Sequence, residues 1–414
     1  MHPFTLFFAP LKPIIGRCLA ALCLSIALPA ISAAQPLTAD EVVTLALENA
    51  ENRVFIQAPT EAAHGALTEL ETWRNPVLSV SREGQSGLGG DGSETSVSIE
   101  RDFDFSGRRA MQADSARARL QAARSQGVVT QAELRAEALS AYYSVLAAHA
   151  ELDTIERLDA QLSQLETATR QRVNAGDASQ LELERVRQET LLVPSLISAA
   201  RLNADAARDQ LFIITGAERV LSDTLAGSLL SEDAAASASP ASASARLAVL
   251  HAEADAAQSL EEAASRLAPD VSLGVGVRHT EGMGGETGVL MSASVPLPLF
   301  NRNQGDRQSR AADARLAEAR LRREQRRLGA EAIMLRRRAA ALQTTALAYE
   351  AEALSSAQSL QRIALISYRA GEIGALEAID AIRSAYEAEM RSISLKHQAR
   401  TAQIALHALL AETE

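Results

Sequence analysis

The chain is built twice over. VNAGDASQLE, from Val173 to Glu182, returns as YRAGEIGALE from Tyr368 to Glu377, so that Gly176 corresponds to Gly371, 195 positions on. Upstream, the helix start after Gly107, with Ala113 and Ala116, matches the one after Gly305, with Ala311 and Ala314, at an offset of 198. Self-similarity on this scale means one supersecondary unit used twice, and any fold assigned to one half must serve the other.

Each unit opens with alternating segments. In Val271-Ser272-Leu273-Gly274-Val275-Gly276-Val277-Arg278 the odd positions are aliphatic and the even ones small or polar, the period of a strand with one greasy and one wet face. Val289, Met291, Ala293 and Val295 continue the pattern in its partner. In the first copy Val97, Ile99, Phe103 and Phe105 point one way and Ser98, Glu100, Asp102 and Asp104 the other, with Arg101 the one break in the apolar row. Gly-rich loops, Gly84 to Gly92 and Gly282 to Gly288, join the pairs, so two hairpins and four strands are expected. Their lengths are near the roughly 9 to 11 residues that cross a bilayer. Four strands cannot close a barrel, since the smallest usual closure is about eight. Strands that cross a membrane must therefore be pooled from several chains.

Long helices follow, Gly107 to about Arg172 and Gly305 to about Arg369, each reaching on the order of 100 Å at about 1.5 Å per residue. Returning helices run from Ser179 to about Thr215 and from Gly374 to about Leu410, and leading helices from Thr38 to Trp73 and from Ala241 to Leu267. Pro59 is expected to interrupt the first leading helix and Pro194 to bend or break the first returning one. Aromatic residues make up only 3% of the chain against 47% hydrophobic, as expected for helices packed closely through Ala and Leu. Mixed charge such as LRREQRRLGAE (321–331) suits their wet side. The segment Val295-Pro296-Leu297-Pro298-Leu299-Phe300 is where a strand leaves its sheet, because proline has no N–H to give to a ladder. Asn301 to Gly305 then turns the chain into helix.

Residues 1–34 have the form of a signal peptide: Lys12 and Arg17, an apolar Leu19 to Leu28, then Ser32-Ala33-Ala34. Both cysteines, Cys18 and Cys23, fall inside it, so neither a disulfide nor a lipid anchor is expected. Loss of Lys12 and Arg17 takes the formal net charge from -11 to -13, which speaks against nucleic acid as a partner. The expected organisation is a signal peptide over 1–34, a first repeat over 35–230, a linker over 231–244 and a second repeat over 245–414.

These residues resemble the TolC-like outer membrane efflux proteins over essentially the whole mature chain. The duplicated order of helix, two strands, long helix and returning helix carries the resemblance. So do Asn75-Pro76, Phe105-Ser106-Gly107-Arg108-Arg109 and Tyr368-Arg369-Ala370-Gly371, while PLPLFNRNQG (296–305) is most similar to the heavy-metal, CzcC/CusC-type branch. The resemblance implies a mixed α and β membrane protein. It would be a homotrimer whose three times four strands close a 12-stranded outer membrane β-barrel, continued by a long periplasmic α-helical barrel. The implied partners are outer membrane lipid, a periplasmic adaptor (membrane fusion protein) and an inner-membrane RND pump. The chain would be a passive duct for metal cations, neither an enzyme nor the holder of a cofactor.

The resemblance also implies a periplasmic gate. Carried over from the second glycine turn it falls on Glu377 and Asp380, spaced i, i+3 on one helix face, with Glu182 at the matching place in the first copy and Tyr368 beside the turn. Gly176 and Gly371 mark the hairpin tips that would dock the adaptor, and Pro296, Pro298, Asn301 and Gly305 the strand-to-helix turn. Where a latch arginine is expected the chain has Ile373. The bland reading of Glu377 and Asp380 is solvated helix charge. The seven histidines form no metal-spaced pair; His279, His397 and His407 read as surface or packing residues. A same-fold duct for drugs or a secreted protein, and a periplasmic coiled-coil scaffold without a pore, remain open as alternatives.

Overall fold

A computed structural model of the chain describes residues 36–85, 92–230, 245–281 and 285–411. The expected signal peptide, the linker and the centres of both Gly-rich loops lie outside them. From Pro36 onward the described chain is one compact unit. Its first half runs α1 (Ala39–Glu48), α2 (Ala50–Glu71), β1 (Val77–Gln85), β2 (Gly92–Phe103), α3 (Arg108–Ala175), α4 (Gln180–Thr215) and the single turn α5 (Arg219–Ser222). The second runs α6 (Ala245–Ser265), β3 (Val271–Glu281), β4 (Glu286–Ser294), α7 (Gln304–Tyr349), a π turn (Glu350–Leu354), α8 (Ser355–Ala370) and α9 (Ala375–Ala411).

The four strands form one antiparallel sheet in the order β1-β2-β3-β4. The pairing of β2 with β3 joins the two copies. Its register sets Val97 against Val277, Ile99 against Val275 and Arg101 against Leu273. β1 adds Leu78 and Val80 to the same face, and β4 adds Val289, Met291 and Ala293. That face is open: Met291 is 81% and Val289 73% exposed. The opposite face carries Ser79, Ser81, Ser96, Ser98, Glu94, Glu100 and Asp102. Here Gly276 is required by crowding, because a Cβ on it would strike the Val97 carbonyl and the Ser98 backbone.

Beneath the sheet α3, 68 residues long, packs against α2, α4, α6 and α9. Small residues permit close approach: Ala113, Ser115, Ala116 and Ala138 on α3 are buried, as are Ala252, Ala256 and Ala263 on α6. Leu37 bridges to Leu225, and the buried Tyr142 hydroxyl lies 3.1 Å from the Leu37 carbonyl and against that of Ala226. Burial there pushes the phenol up to about 12.

Three expectations change. The first leading helix breaks at Asn49, not at Pro59. Asn49 leaves helical geometry at ψ 131, caps α2 through the N–H groups of Glu51 and Asn52, and donates to the Thr215 carbonyl. Pro59 stays inside α2 and Pro194 inside α4, both on exposed sides, where the carbonyl each leaves unpaired can take water. The second long helix is not uniform either, because the π turn interrupts it.

The strand-to-helix junctions differ between copies. In the first, Gly107 is left-handed (φ 73) and Asp104 supplies the cap, accepting from the Ser106 N–H (2.8 Å) and hydroxyl (2.5 Å) and from the Arg109 N–H (2.6 Å). In the second, Pro296 and Pro298 lie in the irregular stretch after β4, and Asn301 accepts from the Asn303 N–H (3.0 Å). The left-handed residue is Asn303 (φ 61), so Gly305 sits in the first turn of α7 and not in the junction. Asn303 also donates to the Ala264 carbonyl of α6, a bond glycine could not make.

Partial burial raises the Asp104 carboxyl, but hydrogen bonds from Ser106 and Arg109 outweigh it and hold the group below the ordinary 3.8. A depressed folded-state value contributes stability above 3.8 that is lost as pH falls through that lower value. Asp104→Ala should therefore lower stability by about 1 kcal/mol at neutral pH. Thermal unfolding followed against pH should find the gap between variant and wild type closing on acidification; a gap independent of pH would reject the cap.

Candidate functional site

The corners between α3 and α4 and between α8 and α9 are built alike. Gly176 (φ 85) and Gly371 (φ 80) end the outgoing helices in the left-handed conformation. Each corner closes with the same two bonds: Gly176 N–H to Val173 O and Asp177 N–H to Arg172 O in the first, Gly371 N–H to Tyr368 O and Glu372 N–H to Ser367 O in the second. Ser179 then caps α4 through the Glu182 N–H, and Gly374 opens α9.

Behind the corners the two hairpins share one core. Ile155, Leu158, Leu162 and Leu165 of α3, Val186 and Val193 of α4 and Ala375, Ala378, Ile379 and Ile382 of α9 enclose Tyr368, which is 1% exposed. The Tyr368 hydroxyl lies 2.6 Å from that of Thr169, which also donates to the Leu165 carbonyl. Arg172 crosses from the first hairpin to the second: Nη1 donates to the Tyr368 carbonyl (3.0 Å), Nη2 to the Asp177 carbonyl (3.2 Å), and the guanidinium carbon sits 4.8 Å from the centre of the Tyr368 ring. Arg383 to Glu189 (2.8 Å) and Arg157 to Glu389 (2.5 Å) join the hairpins further along.

The residues singled out by sequence divide into two groups. Tyr368, Gly176 and Gly371 come together at the corner, and Ile373 packs against the shared core, apolar where a latch arginine was expected. Glu377 and Asp380 lie on the exposed side of α9, opposite Ala378, Ile379 and Ile382. Glu182 is half-buried in the first turn of α4. Glu182 and Glu377 thus stand near positive helix ends, where a carboxylate is favoured whatever else it does. Sequence reasoning missed Thr169 and Arg172. Their counterparts 195 positions on are Ala364 and Ser367, so the repeat gave no signal for either.

Among the described residues no group of three or more His, Cys, Asp or Glu is arranged to hold a metal ion, and no helix is long and apolar enough to cross a membrane. Burial lowers His397 below its ordinary value, with Glu151 pulling the other way, and its Nε2 lies 3.3 Å from the Ser144 hydroxyl.

The profile described as outer membrane efflux protein matches residues 75–217 and 233–412. The cobalt-zinc-cadmium resistance protein CzcC of Cupriavidus metallidurans is 23% identical over 386 residues, covering 88% of each chain. Among solved structures CusC superposes with a TM-score of 0.75 at 18% identity, covering 90% of this chain and 91% of the other. The outer membrane protein VceC of Vibrio cholerae gives 0.75 at 17%, covering 90% and 95%.

The corner contacts make a testable pair. Thr169→Val leaves the buried Tyr368 hydroxyl without its partner and should destabilise by about 1–3 kcal/mol. Thr169→Val with Tyr368→Phe should lose less than the two single changes together, a coupling that unfolding measurements on all four proteins would read; strict additivity would remove the hydroxyl pair from the account.

Proposed function

This chain belongs to the outer membrane efflux protein family, and from that premise we propose that it is the outer membrane duct of a tripartite efflux system that passes metal cations outward. The observation that carries the reading is the sheet. It has an apolar face open along all four strands, a polar face behind it, and two edges, β1 and β4, with no partner strand among the described residues. In an antiparallel order of four, β4 runs opposite to β1, so β4 of one copy can pair with β1 of the next and keep the ladder antiparallel throughout. Three copies close a barrel of twelve strands, lipid outside and polar groups within. Hydrogen-bonded closure is what a strand in hydrocarbon requires. The helices continue that wall into the periplasm, and their corners, Gly176 and Gly371, are the end offered to an adaptor and, through it, to a proton-driven RND pump.

Charge supports a cation as cargo. The inward face carries Glu83, Glu94, Glu100 and Asp102 against Arg278, which is itself paired with Glu94 at 3.2 Å. At the far end Glu377 and Asp380, three times over, make a carboxylate ring that concentrates cations and repels anions. The likeness to CzcC and the PLPLFNRNQG segment point to divalent metals. The energy for export belongs to the pump.

A strain lacking the chain should lose tolerance to one or more of zinc, cobalt, nickel, cadmium, copper and silver while holding its tolerance to a drug panel; the reverse pattern would overturn the cargo. The purified protein should sediment as a heat-sensitive trimer. In single-channel recordings Glu377→Ala with Asp380→Ala should reduce cation over anion selectivity by roughly an order of magnitude at low salt and much less at high salt. Unchanged selectivity would return both residues to ordinary helix surface.

A further inference from the structure

Arg101 interrupts the apolar face of the sheet, between Ile99 and Phe103 on β2 and opposite Leu273 on β3. A guanidinium cannot shed its charge to suit an apolar setting, so its surroundings must answer it. Within the chain the answer is incomplete. The Arg101 guanidinium carbon lies over Trp73, 3.8 Å from the ring centre, and 5.3 Å from that of Phe103. Its Nε is buried without a hydrogen-bond partner. No carboxylate of the described residues is within ion-pair distance of it, although three neighbouring arginines have one: Arg108 with Asp270 (2.8 Å), Arg117 with Glu71 (2.7 Å) and Arg74 with Asp102 (3.9 Å).

Arg101 borders a cavity of about 760 Å³ where the strands give way to α2 and α3. A second arginine on that cavity, Arg109, donates through its guanidinium to the carbonyls of Glu69 and Thr72, so among the described residues two guanidiniums there have no carboxylate within ion-pair distance. Trp73, four residues before β1, Phe105, two after β2, and Phe300, six after β4, are largely exposed, with Phe300 at 91%. Exposed aromatics gathered where a sheet's apolar face ends are what a membrane boundary selects.

We propose that Arg101, held against Trp73, is a lipid headgroup site. Its guanidinium receives the phosphate of an anionic phospholipid at the rim of the barrel, and the acyl chains of that lipid lie along Leu273, Val275 and their neighbours. The planar fork of arginine matches phosphate in two bonds, and the aromatic ring holds it ready. The inference rests on the sheet being a lipid-facing wall.

The test uses the full-length protein, extracted in detergent and titrated with phosphatidylglycerol or with phosphatidylcholine, bound lipid being counted by native mass spectrometry. Wild type should take phosphatidylglycerol in preference, and R101Q should bind it about fivefold more weakly. R101K should fall between them, because it keeps the charge and loses the fork, and Trp73→Ala should weaken binding with the charge intact. R322Q, a solvent-exposed change on α7, should behave as wild type and controls for general loss of charge. Equal retention by R101Q, or equal uptake of phosphatidylcholine by wild type, would sink the proposal. So would displacement of the lipid by millimolar inorganic phosphate, which would mark a soluble-anion site. Flotation with vesicles separates this from the reading beneath it: protein that floats without headgroup preference overturns the lipid site alone, and protein that does not float overturns both.

Discussion

The sheet stops at β1 on one side and at β4 on the other, and along each of these strands one row of backbone N–H and C=O groups meets no strand among the described residues. An edge of this kind is a hazard in water and inadmissible in hydrocarbon, where each unpaired peptide group costs several kcal/mol. The apolar face gives the same result by another route, since nothing within the described chain covers Leu78, Val80, Val289 or Met291. Both deficits are met together if further copies supply the missing strands and lipid supplies the missing apolar surface.

Rigidity below the sheet comes from a different source. α3 is lined with alanine and serine where α6 and α2 meet it, so helix axes approach closely with little side-chain entropy lost. At the far end the packing becomes aliphatic, and the corners are pinned by the buried Thr169–Tyr368 pair and by Arg172. The ion pairs between hairpins, such as Arg383 with Glu189, are partly exposed and contribute little to stability by themselves. Ile373, apolar and packed where a latch arginine was expected, leaves the corner to Arg172 and Tyr368.

Periodicity made most of the elements legible. Alternation over Val271 to Val277 marked β3, and the breaker-poor run after Gly107 marked α3, because these patterns report which side of an element meets water. Proline misled at 59, since one lost hydrogen bond on a solvated side does not end a helix held by packing, and Pro194 likewise stays inside α4 without ending it. Asn49, where the first leading helix does end, was invisible in sequence because its reason is tertiary: the side chain reaches the Thr215 carbonyl 166 residues away. Arg172 and Thr169 were missed for the same cause, their partners lying on the other hairpin.

What the amino-acid sequence settled by itself was the duplication, the strand faces and the glycine corners. Each follows from local chemistry repeated at a fixed interval: the two-residue period of a pleated strand, and the left-handed backbone that Gly176 and Gly371 adopt. Only the tertiary structure decided that β2 pairs with β3 and so merges both copies into one sheet. It alone found Asn303 to be the junction residue, and brought Arg101, the odd residue in an apolar row, onto Trp73. These depend on groups remote in sequence meeting in space, and a pattern read along the chain carries no distances across it.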